Sequence, residues 1–127
     1  MASSDYYYSQ MCSYSKSKRL KEEKKKEYEN YMEKLKKIKN DIPIINQCLN
    51  NSTSTFRNGG YYDGDTPDRG NIKSSVAKLE NASNIIDSII IKTNEKISEF
   101  SREIVNYTNL YNEAHYNYEI AKKAEQK

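Results

Sequence analysis

Tryptophan is absent from this chain, phenylalanine occurs twice and histidine once among 127 residues. A lone histidine removes the imidazole pairs and triads on which much acid–base and zinc chemistry depends. His115 itself lies among tyrosines, with no reason to read it as a base or a ligand. Only two cysteines occur, Cys12 and Cys48. On one continuous helix they would stand roughly 54 Å apart, at about 1.5 Å per residue, which excludes an internal disulfide. They also lack the close ligand spacing of a zinc site. No glycine-rich loop precedes a lysine and a Ser/Thr to cradle phosphate, and no nucleophile elbow is present. The residues therefore predict a protein that is not an enzyme and needs no cofactor or metal.

Long apolar runs are missing as well. The longest aliphatic run lies within "SIII", Ser88 to Ile91, far too short for a membrane span. The start, "MASSDYYYSQM", has no basic segment followed by an apolar run, so no cleavable signal is expected. The expectation is a chain made as a soluble cytoplasmic protein. Hydrophobic residues make up 35% and charged residues 31%, near the limit at which a chain can bury a core alone. The net charge of +3 is too small to imply a nucleic-acid partner. Glycine is scarce and confined: all four fall from Gly59 to Gly70, beside one of the two prolines. The chain is expected to turn there once and to be helical on either side.

What is abundant is helical periodicity. From Ile72 to Ala121 the second half carries fifteen seam positions at alternating steps of four and three, thirteen of them apolar or aromatic. That is a coiled-coil seam over seven heptads. In the first half, Tyr28, Tyr31, Leu35, Ile38, Ile42, Ile45 and Leu49 are read as the matching seam. It extends backward through Lys25, Lys21 and Lys18 to Tyr14, Met11 and Tyr7. The predicted fold is all-α: one domain, residues 1–127, an elongated antiparallel two-helix hairpin with helices at about 5–49 and 67–125. The connecting loop, about 50–66, starts in the polar "NNSTST" run, whose side chains compete with helical hydrogen bonding. Thr66 and Pro67 read as an N-cap and first helical residue. Pro43 is expected to kink the first helix rather than stop it, with a break capped by Asp41 as the alternative.

Pairing positions that sum to about 121 sets Leu49 beside Ile72, Leu35 beside Ile86 and Tyr14 beside Tyr107. It also sets Lys18, Lys21 and Lys25 against Ile104, Phe100 and Ile97. Either the lysine stems cover that apolar surface, or another chain does. Ile85, Ile89, Val105, Leu110 and Ile120 widen the stripe beyond what one partner helix covers. Tyr6, Tyr8 and Tyr116 lie off the seam at the expected open end, where tyrosine suits an interface. Candidate partner contacts are therefore Tyr6, Tyr8, Tyr116, Ile85, Ile89, Ile97, Phe100, Val105 and Leu110. The basic run from Lys16 to Glu27 is interleaved with acids at salt-bridging spacing and reads as a solvated face. Asp63, Asp65 and Asp68 fit turn chemistry rather than a calcium loop, because Ser74 stands where an EF-hand needs glutamate.

The tyrosine-rich "YYYSQ" start, the central "FRNGGYYDGDTPDRGNI" and the hairpin length resemble YwqH-like proteins. These are small helical proteins of low-GC Gram-positive bacteria encoded beside LXG-domain toxins. More distantly, the chain is similar to the WXG/Esx-type hairpins of type VII secretion, with Phe56, Gly59 and Gly60 approximating their turn motif. The resemblance implies a targeting factor or chaperone that binds the helical N-terminal region of an LXG-type toxin, alone or with a second small helical protein. It also implies co-secretion with that partner without a cleavable signal. Tyr61 to Asp65 has the spacing of a Tyr-x-x-x-Asp/Glu export signal but falls in the turn, so the signal is expected in a companion protein. Two other readings stand beside this one. A self-associating coiled-coil protein, such as a four-helix homodimer, is the first; a basic helix that binds nucleic acid is the weaker second.

Overall fold

The computed structural model describes the backbone of residues 2–58 and 67–126, with side chains described for 2–51 and 73–126. Helix α1 spans Ser4–Asn58 and helix α2 spans Pro67–Glu125. The two pack together as an all-α helical hairpin. The expected start of α2 at Pro67 holds. The expected end of α1 does not: Asn50 to Asn58, assigned to the loop, is helical, and so is the backbone at Phe56. Asn, Ser and Thr each lose only a few tenths of a kcal/mol to good helix formers, and such a deficit is easily overridden by context. Gly59 and Gly60 lie outside the described residues. Pro43 sits inside α1 without ending it, so Asp41 caps no new helix.

Contacts divide the chain into two compact units, each built from a piece of both helices. The terminal unit combines Met1–Asn30 with Asn94–Lys127, and the central unit is Tyr31–Thr93.

In the terminal unit the pairing is antiparallel. Ser4 meets Glu125, Tyr8 meets Tyr118, Lys21 meets Glu103 and Tyr28 meets Phe100. Tyr14 and Tyr107 have ring centroids 6.5 Å apart, as expected. Most of the register nevertheless lies up to one heptad further along α2 than the expected pairing, which would have set Tyr28 against Thr93. A seam that repeats every seven residues matches itself again after a seven-residue slip, so apolar matching alone cannot choose. Specific contacts choose.

The first of these closes the ends. Ser3 N-caps α1, its Oγ accepting from the Tyr6 N–H at 3.3 Å. The Ser4 N–H and Oγ both donate to the Glu125 carboxylate, at 2.9 and 2.6 Å. A carboxylate at a helix N-terminus also meets the positive end of the macrodipole.

The central unit corrects the seam of α1. Met32 is 5% exposed, whereas Tyr31, Ile38 and Ile45 are exposed. Leu35, Ile42, Asn46 and Leu49 are half-buried. The working heptad thus runs Tyr28, Met32, Leu35, Lys39, Ile42, Asn46, Leu49, with two polar residues at inner positions. Lys39 turns outward to pair with Asp87. The α2 seam from Val76 to Ala121 is half-buried or buried at every step. Its polar Thr93 is accommodated because Oγ1 donates to the Ile89 carbonyl at 2.7 Å.

The interior is thin. Among the described residues the buried apolar set is Met11, Met32, Phe100, Ala114 and Ala121. Two helices meet along a line and leave their flanks to solvent.

Candidate protein-interaction surface

Heptad letters organise the surface. With Met32 at a and Leu35 at d in α1, and Ile90 at a and Thr93 at d in α2, antiparallel packing puts both g rows on one flank and both e rows on the other. The ion pairs fit this arrangement: Lys39 at a pairs with Asp87 at e, and Lys21 at d pairs with Glu103 at g.

In the central unit the g flank is apolar. Tyr31, Ile38 and Ile45 are the g residues of α1, spaced by seven. Ile89 is a g residue of α2, with Ile85 at the neighbouring c position. All five are between 42 and 54% exposed. The e flank of the same unit carries Lys36, Pro43, Glu80 and Asp87, with Ile91 exposed at the bordering b position. The larger apolar cluster of this unit thus lies on the g flank.

The candidate contacts therefore separate. Ile85 and Ile89 share the apolar flank. Val105 is exposed at a b position, on the e side of the terminal unit, and Leu110 is half-buried at a g position there. Tyr6, Tyr8 and Tyr116 are exposed but occupy c, e and f positions, so they form no single patch. The Tyr8 ring leans on Tyr118 with centroids 6.2 Å apart, and the Tyr6 hydroxyl accepts from Gln10 Nε2 at 3.1 Å.

Ile97 and Phe100 lie on the inner seam of α2. Phe100 is 4% exposed. The Tyr28 ring stands edge-on to it at 5.2 Å, and the Lys21 and Lys96 ammonium groups each lie 5.7 Å from its centroid. Ile97, on the same seam, is half-buried. The chain covers this stretch itself, with lysine stems over the apolar surface and cations over the ring face. Missed in sequence were Tyr31, Ile38 and Ile45, because all three were spent on the seam.

Electrostatics on the terminal unit are local. Lys21 Nζ sits 2.7 Å from Glu103 Oε2. Their hydrogen bond raises the lysine pKa and lowers that of the glutamate. Glu125 is held below the usual carboxylate range by the Ser4 hydroxyl and then the Ser4 amide. The basic run is laced by Lys18–Glu22 and Lys25–Glu29, both at 3.9 Å, as a solvated face would be. An open groove of about 400 Å³ on the e side is lined by Tyr8, Met11, Lys16, Arg19 and Tyr111, with Cys12 at its wall. Cys12 and Cys48 are free and exposed. No helix among the described residues is long and apolar enough to cross a membrane.

No protein-family model, curated protein or solved structure matches this chain.

Proposed function

We propose that this chain is a non-enzymatic, protein-binding helical hairpin: a targeting factor or chaperone for the helical N-terminal region of an LXG-type toxin. In this reading the complex forms in the cytoplasm and leaves through type VII secretion, directed by a signal on a companion protein. The observation that carries the binding part is the apolar g flank of the central unit, exposed beside a thin interior. Five large side chains left half in water on one flank disfavour the isolated chain, and a partner helix would relieve that. The toxin assignment rests on the resemblance of the "YYYSQ" and "FRNGGYYDGDTPDRGNI" segments.

The test is co-expression with the N-terminal helical region of an LXG-type toxin, followed by affinity capture and light scattering. A defined complex that survives gel filtration is the expected result. A chain of 14.8 kDa that ignores the toxin region and runs at twice its mass would instead establish the self-associating coiled coil.

A further inference from the structure

We infer that the apolar flank of the central unit docks an amphipathic α-helix of another protein whose stripe is edged by acidic residues. The inference rests on the partner-binding reading above and adds to it the face used and the chemistry of the occupant.

The spacing argues for a helix. Ile38 and Ile45 repeat by seven on α1, and Ile85 and Ile89 by four on α2. Together they form two parallel ridges along the inter-helix groove. A third helix with a heptad stripe sets its side chains between such ridges. A flat lipid surface fits less well, since it favours residues that protrude rather than ones half sunk between two helices.

The rim argues for acid. At the c positions that border the flank stand Lys34 and Asp41 on α1, and Lys78 and Lys92 on α2, all exposed. No ion pair ties Lys34, Lys78 or Lys92 to an acid among the described residues. Glutamates beside the incoming stripe would complete three open pairings at once. A second copy of this chain would not: it would bring the same three lysines against each other, with Asp41 alone to offset them. Like charges across a helix interface select against that pairing.

Two synthetic helices of about four heptads test this, identical in their Leu/Ile stripe, one flanked by Glu and the other by Lys. Binding to the full chain is measured by fluorescence anisotropy. The Glu-flanked helix is expected to bind about tenfold tighter, roughly the sum of three favourable pairs against three repulsive ones. That preference should shrink between about 0.05 and 0.5 M salt. Ile38→Asp or Ile89→Ser should abolish binding, with the far-UV spectrum checking that each variant stays helical. The triple change Lys34→Glu, Lys78→Glu and Lys92→Glu leaves the stripe intact and should invert the preference.

Equal affinity for both helices, no binding of either, or recruitment to anionic vesicles in their place would overturn the inference. So would a homodimer that Ile38→Asp dissociates. The toxin reading fails separately. If the toxin region binds wild type and Ile38→Asp alike, this face is wrong and the toxin reading stands; if the Glu-flanked helix binds and the toxin region does not, the reverse holds.

Discussion

Ser4 and Glu125 are joined by two hydrogen bonds, from the serine amide and hydroxyl to the two carboxylate oxygens, across 121 positions of sequence. This clasp ties the first turn of α1 to the last turn of α2. It supplies a partner for a helix-end amide that α1 cannot satisfy itself. Because the folded-state pKa of Glu125 is lowered, its contribution is fully present above the unfolded carboxylate pKa of about 4.3. It is lost as pH falls through the folded value.

Acidification is therefore expected to lower the thermal midpoint below about pH 4.3. Glu125→Gln should reduce the midpoint at neutral pH and flatten that acid limb. Circular dichroism melts across pH 3 to 7 read both effects. An acid limb identical in the variant would remove the clasp from the account. Ser3→Ala, which deletes the N-cap, should cost about 1 kcal/mol independently of pH in the same range.

The Lys21–Glu103 pair makes a second, two-sided prediction. Glu103 is lowered and Lys21 raised by their mutual hydrogen bond. The glutamate's share fades as pH falls toward its depressed value, and the lysine's share fades as pH rises past about 10.4. Glu103→Gln should flatten both ends of the stability profile. Raising salt should change little else at this site, as the pair is in direct contact.

Phe100 anchors the terminal unit. Phe100→Ala should cost about 3 kcal/mol, the range found for buried aromatic truncation, and a chain with so thin an interior has little margin to absorb it. Tyr28→Ala should cost less and be non-additive with it, since the two rings touch. A double-mutant cycle by chemical denaturation measures the coupling.

The corrected seam predicts opposite outcomes for neighbouring residues. Asn46 occupies an inner position, and its Oδ1 is buried with no hydrogen-bond partner. Asn46→Leu should raise stability by about 1 kcal/mol or more by removing an unsatisfied polar group. Ile45→Asn, one residue away on the exposed flank, should change it by less than about 1 kcal/mol. If both substitutions act alike, Asn46 is not on the seam.

These neighbours also mark the limit of what the residues alone could tell. The helix pattern, the reversal between the halves and the α2 seam were legible because α2 holds apolar residues at nearly every inner slot. In α1 the inner slots after Tyr28 include Lys39 and Asn46, while Tyr31, Ile38 and Ile45 fall outside. A reading that follows apolar residues takes three steps from Tyr28 to Tyr31, where the fold takes four to Met32. The same choice hid the interaction flank, because residues assigned to the interior cannot also be counted as surface. A strict heptad carried forward from Tyr7, Met11 and Tyr14 would have found both. The pairing register was ambiguous for a different reason, the seven-residue degeneracy, and Ser4–Glu125 and Tyr28–Phe100 are contacts no periodicity announces.

The clasp also makes the chain its own reporter. Dyes placed just before Ser4 and just after Glu125 would sit side by side in the folded state. In the unfolded chain they would drift to separations on the order of several tens of Å. Energy transfer between them would then follow folding at the one place where the two extremities touch, and would show whether a bound helix steadies that contact from a distance.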